Sequence, residues 1–129
     1  MKVLTASQIR EADAYTIKHE PIVSIDLMER AANGCAQWLL KKFKDDTKFY
    51  FFCGTGNNGG DGLAIARIWN STKFFEIKIF VVRHSEKSSP DFDTNLKRLD
   101  QSKNFDIVEI KEKNNLPPVP EDVVIIDAL

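Results

Sequence analysis

The residues best suited to chemistry form one run, Cys53-Gly54-Thr55-Gly56-Asn57-Asn58-Gly59-Gly60-Asp61-Gly62, which holds five of the chain's six glycines. An apolar stretch precedes it and Leu63-Ala64-Ile65-Ala66-Arg67-Ile68 follows, so the order reads strand, glycine-rich loop, helix. Glycine enters positive φ cheaply and lets backbone approach a ligand with no Cβ in the way. Amides freed by such a loop, with the partial positive charge at the start of a helix, make an anion site suited to phosphate or pyrophosphate. Tandem Asn57 and Asn58 add amide donors for phosphate and carbonyl oxygens for a hard cation. The bland alternative is turn geometry, which Asn and Asp also favour. Asp61 reads equally as a ligand contact or as a first-turn acid complementing the helix dipole.

Gly54, Gly56 and Gly59 satisfy GxGxxG, yet the acid that would bind a ribose hydroxyl at the end of the next strand is replaced by Arg83 and His84. An ordinary NAD dehydrogenase is therefore disfavoured, and no Lys-Ser/Thr pair follows the glycines to make a P-loop. The second candidate is Asp127, which ends the apolar run Val123-Val124-Ile125-Ile126. A buried carboxylate there is costly unless paired, hydrogen-bonded or coordinated. His19 and His84 have no accompanying nucleophile and read as surface or loop residues, and Lys41, Lys42 and Lys44 as a solvated helix end.

Four apolar runs position these groups. Lys48–Cys53 is an aromatic first strand, Phe74–Val82 the second, Phe105–Ile110 the third and Val123–Asp127 the fourth. Between them lie a helix from about Asp61 to Asn70 and one opened by Ser89-Pro90-Asp91, with Phe92, Leu96 and Leu99 facing inward. Thr5 and Gln8 form a capping box for a first helix reaching about Lys18, whose Ile9, Ala12 and Ile17 share a face. A second helix from Ser24 carries the stripe Leu27, Met28, Ala31, Ala32, Cys35, Leu39 and Phe43. The alternation predicts an α/β, Rossmann-like parallel sheet with helices on both faces, its first strand between the second and fourth. The loop and Asp127 then face one crevice at the strands' carboxyl ends. No helix follows the fourth strand to cover it, so the domain is expected to be truncated there.

At 129 residues the chain fits a single domain. Eighteen basic and nineteen acidic side chains leave a net charge of −1, without the basic footprint of a nucleic-acid binder. Cys35 and Cys53 lack metal or disulfide spacing and read as small buried thiols. No leader pattern or membrane-length apolar run is present, so a soluble, cytoplasmic protein is expected.

Gly54-Thr55-Gly56-Asn57-Asn58-Gly59-Gly60-Asp61-Gly62 resembles the GxGNNGGDG loop of the YjeF N-terminal domain family, the NAD(P)H-hydrate epimerases. Leu27-Met28-Glu29-Arg30-Ala31-Ala32 is similar to that family's second helix, and Val124-Ile125-Ile126-Asp127-Ala128-Leu129 to its Asp-bearing strand. The resemblance covers residues 1–129 as the N-terminal part of one such domain. It implies an isomerase of nicotinamide nucleotide repair, interconverting the R and S forms of hydrated NADH or NADPH, with a bound potassium ion. Asn57, Asn58, Gly59, Gly60 and Asp61 would contact the hydrate's phosphates, and Asn58 and Asp127 would give oxygen ligands to potassium. It implies a functional partnership with an NAD(P)H-hydrate dehydratase, separate or fused downstream, and a homodimer. It assigns no catalytic acid or base within these residues. Which hydrate is preferred stays open, although Arg83 is placed to meet a 2′-phosphate. The competing reading is a non-catalytic Rossmann-like nucleotide- or RNA-binding or interaction module, which predicts an eroded loop or a basic surface.

Overall fold

A computed structural model describes residues 3–72, 76–102, 105–112 and 115–129. In chain order the elements are α1 (Ala6–His19), α2 (Ser24–Lys42), β1 (Lys48–Cys53), α3 (Asn57–Thr72), β2 (Glu76–Val82), α4 (Pro90–Ser102), β3 (Asp106–Ile110) and β4 (Val123–Ala128). The strands form one parallel sheet in the order β3-β2-β1-β4. The expected Rossmann-like sheet is there, with the first strand between the second and fourth. Of the second strand's expected span, Phe74 lies outside the described residues.

The sheet has two unlike faces because successive strand side chains point opposite ways. Phe49, Phe51 and Cys53 of β1 are fully buried among Ile77, Ile79 and Val81 of β2 and residues of α2, α3 and α4. Trp69 of α3 packs on this face, its ring 4.3 Å from that of Phe49. Tyr50, Phe80 and Ile110 gather on the other face with Phe52, Val82 and Val123, and among the described residues no helix joins that cluster. The cover expected on both faces is thus seen on one.

Glu29 of α2 ties the helical layer together. Its Oε2 accepts from Arg67 of α3 at 2.5 Å and from Arg98 of α4 at 3.3 Å, all three side chains being partly shielded from water. The burial stripe of α2 is Met28, Ala32, Ala36 and Leu39. Ala31 and Cys35, placed on that stripe by their spacing, are exposed, and Ala36 packs where Cys35 was expected. A 3.6-residue repeat makes neighbouring positions near-equivalent at the stripe's edge, and the close approach of α3 selects the small alanines. Cys53 is buried as expected, and burial pushes its thiol up to about 12.

The capping box of α1 is present, with the Gln8 N–H donating to Thr5 Oγ1 at 3.3 Å and the Thr5 N–H to Gln8 Oε1 at 2.9 Å. No α1 residue is buried, although Ile9 and Ile17 line one cavity with Leu27 and Met28 of α2. His19 is exposed, stacked on Tyr15 with ring centroids 3.8 Å apart. No described helix is long and apolar enough to cross a membrane.

Leu39 belongs to the principal core. Leu39→Ala is expected to lower unfolding stability by about 2–5 kcal/mol, as a large-to-small core change. A denaturant-melt difference below ~0.5 kcal/mol, the scale of surface sites, would contradict the packing of α2 on the core.

Candidate functional site

The glycine-rich segment is folded differently from its expectation. The helix begins at Asn57 rather than near Asp61, so the connection from β1 is only Gly54-Thr55-Gly56. None of the six glycines has a left-handed φ. Close packing is the constraint instead. A Cβ on Gly59 would lie 1.8 Å from the Gly54 carbonyl oxygen, and one on Gly62 would lie 2.7 Å from Ala128 Cβ and 2.8 Å from Cys53 Sγ. A Cβ on Gly60 would press on the Met28 thioether at 3.1 Å. The first turns of α3 therefore rest directly on the ends of β1 and β4.

Hydrogen bonds hold the turn that feeds the helix. The Gly54 N–H donates to the Ala128 carbonyl at 2.9 Å, carrying the β1–β4 ladder one residue further. Buried Thr55 donates its hydroxyl to the Lys87 carbonyl at 2.9 Å, and its own carbonyl accepts the Ser89 N–H at 2.9 Å. Sequence reading passed over Thr55; its signal was a hydroxyl between two glycines at a strand end. The Gly60 N–H donates to the Gly56 carbonyl at 3.0 Å as the opening bond of α3. The amides of Asn57, Asn58 and Gly59 precede that bond, at the helix end where N–H groups lack intrahelical acceptors. They carry the positive end of the helix dipole. Asn57 and Asn58 are exposed, whereas Gly59 and Gly60 are buried.

Asn58 and Asp127 approach one piece of backbone. Asn58 Nδ2 donates to the Leu129 carbonyl at 2.9 Å, while Asp127 Oδ1 accepts the Leu129 N–H at 3.1 Å. Asp127 lies opposite Phe52 in the β1–β4 register. Its side chain is exposed, so the burial cost expected of it does not arise, and its location beside the helix start is what distinguishes it. The remaining Asn58 and Asp127 oxygens fit a hard cation in kind. Among the described residues no group of three or more His, Cys, Asp or Glu side chains is arranged to hold a metal.

Asp61 is not the first-turn acid of its helix. It is the fifth residue of α3 and opens onto a cavity of about 500 Å3 bounded by α1, α2, α3 and α4. Asp13 of α1 and Asp91 of α4 line the same cavity, as does Asn57. Ser24 Oγ, at the start of α2, donates to Asp91 Oδ2 at 2.5 Å. Burial, then the charges of Asp13 and Asp91, push the Asp61 carboxyl up to about 6. This convergence was invisible in sequence, since Ser24 and Asp91 are 67 residues apart.

With the glycine turn, the free helix start and the Asn58–Asp127 pairing on one strand end, comparison with known proteins becomes specific. The family described as "YjeF-related protein N-terminus" matches residues 24–129. The chain belongs to that family. The match opens at Ser24, the first residue of α2, and includes every strand. The chain is 33% identical over 129 residues to a protein named NAD(P)H-hydrate epimerase from Limosilactobacillus reuteri, covering 99% of this chain and 58% of that one. It is 45% identical over 67 residues to a protein named bifunctional NAD(P)H-hydrate repair enzyme Nnr from Salinibacter ruber, covering 50% of this chain and 12% of that one. The chain thus spans little more than half of the first relative and a small part of the second. Its fold is similar to the crystal structure of yeast ynu0, with a TM-score of 0.70 at 18% identity, covering 99% of this chain and 70% of that one.

Two tests follow from this YjeF-family geometry. Gly59→Ala forces a Cβ onto backbone, which cannot swing aside as a side chain can. A loss of about 1–3 kcal/mol is expected from overpacking, with no loss refuting the close approach. The Asp61 carboxyl holds its proton more tightly folded than unfolded, so its contribution to stability is full below about pH 4 and is lost as pH rises through about 6. Asp61→Asn should therefore raise Tm at pH 8 but not at pH 4. An equal shift at both values would place Asp61 in open solvent.

Proposed function

We propose that this chain performs NAD(P)H-hydrate epimerisation, an isomerase reaction that interconverts the R and S hydrates of NADH or NADPH within nicotinamide nucleotide repair. The carrying observation is the start of α3, where three unspent amides lie beside Asn58 and Asp127 at the carboxyl end of the sheet. The family membership and the names of the relatives support the same reading. An NAD dehydrogenase is a poorer fit, because Arg83 stands where the ribose-binding acid would be.

In this reading the amides of Asn57, Asn58 and Gly59 receive the hydrate's pyrophosphate, and the bare Cα atoms of Gly59 and Gly60 keep the helix seated so that those donors stay aimed. Asp61 acts from the cavity side rather than from the row of amides. The Asn58 and Asp127 side-chain oxygens hold the potassium ion, which when bound supplies a fixed positive charge near the ligand. Hydration of an enamine places the hydroxyl on the carbon bonded to nitrogen, so epimerisation requires that carbon to be inverted while the phosphates stay anchored. The helix start supplies the anchor, and the nicotinamide end extends past β4. A dehydratase acting on one epimer would draw on the product, and a homodimer and a cytoplasmic setting belong to the same reading.

Asp127→Ala is expected to lose potassium-dependent thermal stabilisation and R/S interconversion together, the first read by melting in potassium against a large organic cation and the second by chiral chromatography of the hydrates. Equal potassium stabilisation in the parent and the variant would remove Asp127 from the ion site. Loss of stabilisation with interconversion intact would separate the ion from the reaction.

A further inference from the structure

We propose that the cavity at the carboxyl ends of β2 and β3 takes the adenosine end of the nucleotide, with Arg83 reading a 2′-phosphate, so that the NADPH hydrate is the preferred ligand. The inference rests on the anion reading of the α3 start.

The register places this cavity. Cys53 of β1 is level with Val81 of β2, so Arg83 stands level with Thr55, the centre of the turn that feeds α3. The segment after Arg83 is bonded to that turn through the Thr55–Lys87 and Thr55–Ser89 contacts. A ligand whose pyrophosphate lies on the α3 amides can therefore reach the end of β2 by crossing a single strand spacing, ~4.8 Å. On the other side of β1 lies β4 with Asp127. The two ends of a dinucleotide thus have different destinations, one toward β2 and β3 and the other toward β4.

The cavity's chemistry selects which end goes where. It measures about 240 Å3, and Val82, Ile110 and Leu116 provide apolar surface for a flat base. Arg83, His84 and Lys111 provide donors on its rim. Arg83 is held in place: its N–H donates to the Ile110 carbonyl at 2.9 Å, and its Nε donates to Glu109 Oε1 at 2.9 Å. That contact uses Nε and, among the described residues, leaves the two terminal guanidinium nitrogens for a phosphate, which a guanidinium matches with paired donors. Glu109, bonded to Arg83, has its carboxyl held below the usual range and so remains the anion that orients the guanidinium. Lys111 also approaches Glu109, at 3.7 Å, so two cations share one carboxylate. Glu112 on the rim is the opposing charge. An acid at the end of β2 would favour an unmodified ribose, whereas an arginine there accommodates the 2′-phosphate.

The test is an amide-resolved NMR titration of the chain with pyrophosphate, 5′-AMP and 2′,5′-ADP. Pyrophosphate should shift the amides of Asn57, Asn58 and Gly59. 2′,5′-ADP should bind about tenfold more tightly than 5′-AMP, the scale of one charge-assisted contact, and should also shift Arg83, His84 and Lys111. Arg83→Gln should bring the two nucleotides to near-equal affinity while leaving pyrophosphate binding unchanged, which also reports that the variant is folded. Lys111→Ala, at an exposed position, should reduce the preference without abolishing it. Pyrophosphate binding at α3 with no preference between the nucleotides, or with a preference that survives Arg83→Gln, would overturn the inference alone. Absence of pyrophosphate shifts at residues 57–59 would overturn the anion reading and this inference with it.

Discussion

The structure depends on a contact in which two backbones meet with nothing between them. The first turn of α3 lies against Gly54 so closely that a methyl group on Gly59 would overlap the Gly54 carbonyl, and one turn on Gly62 is pressed between Cys53 and Ala128. Because the helix starts immediately after a three-residue turn, its unspent amides remain at the strand ends instead of being carried away by a longer loop. Because Gly62 also meets β4, the helix bridges the two strands whose ends carry the turn and Asp127. One packing constraint thus fixes both the amide-bearing helix end and its neighbour on β4.

The surrounding elements divide into those that hold this contact and one that does not. Glu29 joins α2 to α3 and α4, and Thr55 joins the turn to the segment before α4. These bonds act on partly shielded groups, where loss of a partner is costly. By contrast, α1 buries no residue and faces the cavity that contains Asp61. Asn57 lies at the boundary, at the helix start and among the residues lining the cavity. The positive helix end and the cavity lined by Asp13, Asp61 and Asp91 therefore meet at one residue.

The strand order and the central place of β1 were legible because uninterrupted apolar runs such as Phe49–Cys53 have few other uses in a small α/β chain. The start of α3 was not, because glycine reads as loop by propensity, whereas here tertiary contact requires its lack of a side chain inside a helix. The same reason explains Asp61: moving the helix start to Asn57 turns it from a first-turn acid into a side chain facing Asp13 and Asp91. Cys35 failed for a smaller reason, since Ala36 is its neighbour at the edge of the stripe and fits beneath α3. Asp127 was singled out through an argument from burial that its exposure removes; its hydrogen bond to Leu129 beside Asn58 is what the structure shows of it.

A parallel sheet with β1 inside gives the site a direction as well as a location. Both neighbours of β1 end at nearly the same level, but they end in opposite charges, Asp127 on β4 and Arg83 just beyond β2. Those groups lie on strands separated by β1, which run about 10 Å apart at the usual strand spacing, and Arg83 stands three residues further along the strand direction than Asp127. A symmetrical anion such as pyrophosphate alone would gain nothing from this polarity. A dinucleotide would, because its phosphates occupy the centre while its two unlike ends reach unlike charges. Reversing it would take any 2′-phosphate away from the Arg83 guanidinium, so that charge contact opposes the reversed pose before any contact to either base is considered.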